Sequence, residues 1–131
     1  MRRLDGLYLV AALLLVFWIM SPSRKIRRIA EAIARAEGYG VPGAIPTVRN
    51  NPGNIKDASG RIRTYPTVGD GWDALYRQVL LMLTGESRWY RPEMTIAEVA
   101  RIYTGESTYM DWANNVARIL GVTPDTRLRD V

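Results

Sequence analysis

The chain has no cysteine and no histidine among its 131 residues. Without cysteine there is no disulfide, no thiol nucleophile and no cysteine-ligated zinc. Its absence is compatible with an oxidising compartment without requiring one. Without histidine there is no Ser-His triad, and the side chain that ordinarily titrates near neutral pH is missing. Acid–base chemistry is left to carboxylates, lysine and tyrosine. No internal repeat and no low-complexity segment is present, so a solenoid or a polar linker is not the organising feature.

What is present is a basic, single-domain-sized chain. The net charge is +5 and the pI about 9.9, a balance that favours polyanionic partners. Nucleic acid, anionic lipid headgroups and bacterial cell-wall polymers all qualify on charge. The length suits one compact domain plus an accessory segment.

That segment is at the N-terminus. Gly6 to Met20 is uncharged and mostly apolar, preceded by Arg2 and Arg3 and followed by Arg24, Lys25, Arg27 and Arg28. Its fifteen residues are fewer than the roughly 20 of a full span, but Leu4 and snorkelling arginines extend the reach. Tyr8 and Trp18 sit near opposite ends, where aromatic rings favour the membrane interface. A retained anchor over residues 1–23, with the bilayer contact at 4–20, is the expectation. A cleaved signal peptide lacks a small-x-small site after the run. A core helix apolar all round does not suit so small a domain. The charges conflict with one setting: more cations follow the run than precede it, which favours a cytoplasmic C-terminal domain. A virion membrane, whose facing is set by particle assembly, would escape that conflict.

Residues 24–131 read as a mostly α (α+β) domain with little sheet. Ile26, Ile29, Ala30, Ile33 and Ala34 follow helical spacing, from near Ser23 to Glu37, with Gly38 as the stop. Val41 to Thr67 holds four of the seven prolines and predicts loops with a small β-hairpin around Ala58-Ser59-Gly60. Gly71 to Leu83 predicts a helix with Asp70 as cap and Trp72, Leu75, Val79 and Leu83 inward. Thr95-Ile96-Ala97-Glu98 is a capping box opening a helix to about Tyr103. Thr108 to Leu120, closed by Gly121, is the last helix, and the tail after Thr123 is expected to be loosely held.

Four segments carry candidate chemistry. Glu37 stands at the C-terminal end of its helix, where the negative end of the dipole disfavours another negative charge. Burial acts in the same direction, and both raise a carboxyl toward proton donation at neutral pH. The bland alternative is a solvated glutamate. Arg49-Asn50-Asn51-Pro52-Gly53-Asn54 is dense in turn formers. Its amides either tie the loop together or bond sugar hydroxyls and acetamides. Tyr65, before Pro66, and Trp72 lie at the entry to a helix; Tyr65 suits ligand or core, Trp72 core. Of the aromatic set Trp89, Tyr90, Tyr103, Tyr109 and Trp112, helical spacing assigns several to the core, and Tyr103 and Tyr109 are kept as ligand candidates.

In this order the segments resemble the lysozyme-like superfamily, in particular phage and bacterial peptidoglycan-cleaving domains related to lytic transglycosylases. The residues are Ile33 to Gly38, Arg49 to Ile55, Tyr65-Pro66-Thr67 with Asp70 to Leu75, and Met94 to Val99 leading to Tyr109 and Val116 to Val122. The match spans roughly residues 26 to 122. It implies a helix ending in a catalytic glutamate, a small hairpin region beside it and a helical far wall. Glu37 takes the family's catalytic position, cleaving between N-acetylmuramic acid and N-acetylglucosamine. Arg49, Asn50, Asn51, Asn54, Tyr65, Tyr103 and Tyr109 are the substrate-binding candidates, and neither metal nor cofactor is expected. A Gly-Leu-Met-Gln-like motif of the commoner transglycosylases is not evident, which leaves the subclass open.

The second carboxylate decides the reaction. Asp57, Asp70 and Asp73 are the candidates, the last two better explained as helix-start residues. If none reaches the cleft, Glu37 acts as acid and then base and a 1,6-anhydro ring forms. The expected partners are peptidoglycan glycan strands, the lipid bilayer and phage capsid or membrane proteins. The expected place is a virion membrane or the bacterial inner membrane with the domain facing the periplasm. A non-catalytic structural or wall-binding virion protein of the same fold is the alternative. Nucleic acid is disfavoured, because no spaced aromatic-basic motif accompanies the charge.

Overall fold

The computed structural model describes residues 22–131 as a mostly helical fold. Helix α1 (Arg24–Ala36) begins where Ser23 accepts a hydrogen bond from Ile26 N–H at 3.2 Å. It ends in a left-handed stop: Gly38 has φ +87°, its N–H reaches Arg35 O, and Tyr39 N–H reaches Ala34 O. This pair of bonds is the Schellman arrangement, and it fixes Glu37 as the C-cap of the helix. The short α2 (Ile45–Val48), opened by Pro46, lies inside the segment expected to be loop.

Helix α3 (Val68–Thr84) starts three residues before the expected Gly71. Its cap is Thr67, whose hydroxyl accepts from Asp70 N–H at 3.1 Å; Asp70 is in the first turn instead of capping. Leu75, Val79 and Met82 are buried, whereas Trp72 and Leu83 are only half-buried. Trp72 meets Tyr39 edge-on at 5.4 Å between ring centroids. Helix α4 (Ile96–Thr104) is capped by Thr95, and α5 (Tyr109–Leu120) is closed by Gly121 at φ +73°. Both stand within a residue of their sequence boundaries.

Helix α1 packs on α3 and α5, and α4 packs on α5. The core is one cluster in which Ile29 and Ile33 of α1 join Leu75, Val79 and Met82 of α3, Val99 of α4, and Val116 and Leu120 of α5. Among the described residues no helix is long and apolar enough to cross a membrane. The expected anchor at 4–20 lies outside those residues.

Two expectations are corrected. The hairpin is not formed as strands: among the described residues there is no sheet, and residues 55–63 carry one isolated antiparallel bridge, Lys56 with Ile62. The turn itself is where it was expected, closed by Asp57 N–H to Arg61 O at 2.7 Å and Gly60 N–H to Asp57 O at 3.0 Å. Beyond the bridge, Arg63 N–H donates to Ile55 O at 2.9 Å, and the Asn51 amide donates to both Ile55 O and Arg63 O, adding to this backbone pairing. The tail is also not loose. Thr126 O and Pro124 O accept from Ile96 and Ala97 N–H, supplying partners to the first two N–H groups of α4, which the helix itself leaves unpaired. Leu128, in a 3-10 turn at Leu128–Asp130, is buried, and Lys25 Nζ donates to Arg129 O at 2.7 Å.

The loop and α3 meet at a glycine. A Cβ on Gly71 would lie 1.8 Å from Asn50 O and 2.9 Å from Pro52 Cδ. A Cβ on Gly69 would meet only Thr67 Oγ1, at 3.8 Å. Gly71→Ala is therefore expected to lose about 3 kcal/mol of stability in urea unfolding, through overpacking against backbone. Gly69→Ala, two residues earlier, is expected to be neutral or to gain up to about 1 kcal/mol from helix propensity.

Candidate active site

The loop after α2 is built around one buried side chain. Asn51 is fully buried; its Nδ2 donates to Ile55 O and Arg63 O, both at 2.9 Å, and its Oδ1 accepts from Ile55 N–H at 2.9 Å. Asn50 and Asn54 both take φ +50°, a left-handed conformation that asparagine tolerates better than most residues. Asn50 Nδ2 donates to Tyr65 O at 3.2 Å, and Arg49 donates to Ile62 O at 2.9 Å. Pro52 and Gly53 are buried between α3 and α4 residues: a Cβ on Gly53 would come 2.7 Å from Leu75 Cδ1. The Tyr103 hydroxyl donates to Gly53 O.

That loop carries Asn54 to the end of α1. Asn54 Nδ2 donates to Glu37 Oε2 at 3.2 Å, and Trp112 Nε1 of α5 donates to Oε1 at 3.0 Å. The Tyr103 ring stacks on Trp112, with centroids 5.0 Å apart. The Glu37 carboxyl is thus held from both sides, one oxygen by the loop and one by the far helix. Burial pushes its pKa above the usual carboxylate range, opposed by the hydrogen bonds from Trp112 and Asn54 and by the nearby Lys56 charge. The Glu106 carboxylate, in the loop between α4 and α5, adds a further upward push. Asn54 Oδ1 is buried with no hydrogen-bond partner.

Beside this carboxyl runs an open groove of about 890 Å³. Asn54 and Tyr103 belong both to the Glu37 surroundings and to the groove lining; Glu37 itself is not a lining residue. The 55–63 turn forms one side, α3 contributes Ala74, Arg77, Gln78 and Leu81, and residues 87–90 close the end. Tyr65 lines the groove, and burial raises its hydroxyl pKa. Tyr90 is pushed up to about 12 by burial and by the Glu37 charge. Among the described residues no cluster of three or more acidic side chains could hold a metal ion.

The sequence candidates therefore divide. Asn54, Tyr65 and Tyr103 are brought to the groove. Asn51, Asn50 and Arg49 bond the loop's own backbone, and buried Asn51 has no surface to offer a ligand. Tyr109 is not a lining residue; the Arg101 guanidinium lies over its ring at 5.7 Å. Asp70 and Asp73 are exposed on the first turns of α3. Asp57 Oδ1 accepts from Ser59 N–H, Ser59 hydroxyl and Arg61 N–H, which hold its carboxyl below the usual range. Missed from sequence were Trp112 and Trp89, both in the aromatic set but not kept as ligand candidates, the Glu106 charge, and the cations of the groove. A signal for Trp112 existed: a buried indole needs an acceptor for its N–H, and a misplaced carboxylate supplies one. No family model, no curated protein and no solved structure matches the chain, so the functional reading rests on this geometry.

Asn51→Ala removes the side-chain partner of Ile55 N–H and Arg63 O and one of two donors to Ile55 O, and is expected to lower stability by about 2–3 kcal/mol in denaturant unfolding. Carboxyl NMR titration is expected to find Glu37 shifted further up in Trp112→Phe and lowered in Glu106→Gln. Because the folded pKa is raised, the stability this group contributes is present in full below its unfolded pKa. It is lost as pH rises through the folded value. Glu37→Gln is expected to remove that decline from the stability–pH curve.

Proposed function

We propose that the domain is a peptidoglycan-cleaving enzyme of lysozyme-like fold, with Glu37 as general acid, and that it is a lytic transglycosylase. The observation that carries the reading is the Glu37 carboxyl itself. It is partly buried at the end of α1, has a raised pKa, and is clamped by two N–H donors, one of them from Asn54, which also lines the adjacent groove, a groove large enough for sugar units. A carboxyl that keeps its proton to higher pH is suited to protonating a leaving oxygen.

In this mechanism Glu37 donates its proton to the glycosidic oxygen between N-acetylmuramic acid and N-acetylglucosamine as the C1–O bond breaks. The Glu37 carboxylate then takes the proton of the muramic 6-hydroxyl, whose oxygen bonds to C1. A 1,6-anhydro ring results, and Glu37 is returned protonated. The disposition of the aspartates supports the use of one carboxyl for both steps. Asp57 is bonded into its own turn, and Asp70 and Asp73 are on the exposed start of α3. Hydrolysis would call for a second carboxylate that binds a water or the sugar. Residues 4–20 would hold the domain at a bilayer, in a virion or in a bacterial inner membrane with the domain facing the periplasm.

On purified peptidoglycan, Glu37→Gln is expected to lose about 10²–10⁴-fold of the rate of turbidity loss while keeping its fold by circular dichroism. Mass spectrometry of the wild-type digest is expected to find anhydro-muropeptides. Reducing muropeptides would assign hydrolysis instead, and no release of soluble products would leave a wall-binding, non-catalytic protein.

A further inference from the structure

The groove is charged in a way the general acid does not require. Its lining holds four cationic side chains, Lys56, Arg63, Arg77 and Arg88, and one carboxylate, Asp57. That carboxylate is turned to its own backbone turn, where Ser59 and Arg61 donate to it. The cations come from three separate stretches: the 55–63 turn, helix α3 and the segment after it. On α3 the lining residues Ala74, Arg77, Gln78 and Leu81 follow i, i+3, i+4, i+7 spacing, so they form one face beside the buried face of Leu75, Val79 and Met82. The Arg88 guanidinium lies 5.4 Å over the ring of Trp89, which is 64% exposed. Stacking of this kind orients the planar guanidinium, whose paired N–H groups match a carboxylate.

We infer that this basic groove is a carboxylate-binding site for the peptide stems carried by muramic acid, so that peptide-bearing glycan strands are the preferred substrate. The inference rests on the peptidoglycan reading and deepens it. A neutral sugar chain uses aromatic faces and amides and has no need of four cations. A strand without stems offers a single lactyl carboxylate per muramic acid, enough for one of them. Stem peptides present several carboxylates at the spacing of a few residues, which suits cations spread along both walls. The link to the reacting bond is Asn54, which lines the groove and bonds Glu37.

The test uses the full chain in mild detergent. It compares cosedimentation and digestion of three materials: intact sacculi, sacculi stripped of stem peptides by an amidase, which keep the lactyl carboxylate, and neutral chitin. Binding to intact sacculi is expected to exceed binding to stripped strands by about tenfold, as two or so oriented charge pairs would produce, and to weaken with salt. Arg77→Gln with Arg88→Gln is expected to bring intact and stripped strands to the same level. Arg27→Gln with Arg118→Gln, which removes the same charge from exposed sites outside the groove, is expected to keep the preference. Equal binding of intact and stripped strands, or competition by DNA as effective as by soluble stem-bearing muropeptides, would overturn the groove assignment. The Glu37 reading is separated by the digest. A preference for stems without released products keeps the groove and removes the acid; products from both strands alike, lost in Glu37→Gln, do the reverse.

Discussion

The side-chain amide of Asn51 holds the irregular part of the protein to itself, and the position of the carboxyl depends on it. This buried group donates to Ile55 O and Arg63 O and accepts from Ile55 N–H, reinforcing the backbone bond between Arg63 N–H and Ile55 O. Pro52 can then lie against Gly71 and Gly53 between Leu75 and Tyr103, and Asn54 is carried to the end of α1. A buried amide is costly unless fully bonded, so the loop has few alternatives of similar energy. A segment without regular secondary structure is thereby made rigid enough to place a donor on Glu37.

The carboxyl is set by opposing influences of known origin. Burial disfavours its charge; Trp112 and Asn54 favour it; Lys56 and Glu106 act from either side. The proposed role of general acid calls for this kind of balance, since a freely solvated glutamate is ionised at neutral pH and an isolated buried one holds its proton too firmly to be a useful donor. The same two donors fix the carboxyl's orientation. Trp112 is itself held by stacking on Tyr103, and Tyr103 by its hydroxyl bond to Gly53 O, so helix α5, helix α4 and the loop converge on one group.

The groove beside it joins elements of different character. Its α3 wall is regular, and its other wall is the 55–63 turn; Asn54 and Tyr103 connect both to the surroundings of Glu37. Positive charge is concentrated along these walls, whereas the arginines of α1 that follow the apolar segment lie apart from the lining. The overall basic balance of the chain therefore has at least two locations.

Much of the helical frame was legible in the residues alone. Ser23, Thr95, Gly38 and Gly121 mark helix ends by local hydrogen bonding or by left-handed backbone, and such effects act over a few residues. The oddity of Glu37 was legible for the same reason, since a carboxylate at a helix C-terminus is a local conflict. The start of α3 was misplaced because Gly69 and Gly71 disguise a helix that Thr67 caps. Gly71 is required there by the Asn50 carbonyl, a contact that no spacing along the chain announces. The roles of the asparagines were likewise undecided: turn propensity is common to Asn50, Asn51 and Asn54, and only the fold buries one, bonds one to backbone and turns one to Glu37. The sequence by itself determined the boundaries of α1, α4 and α5 to within a residue or so and singled out the carboxyl. Tertiary structure alone decided what surrounds that carboxyl, because Trp112 lies 75 residues from Glu37 and Tyr103 lies 50 from Gly53, distances over which only packing brings groups together.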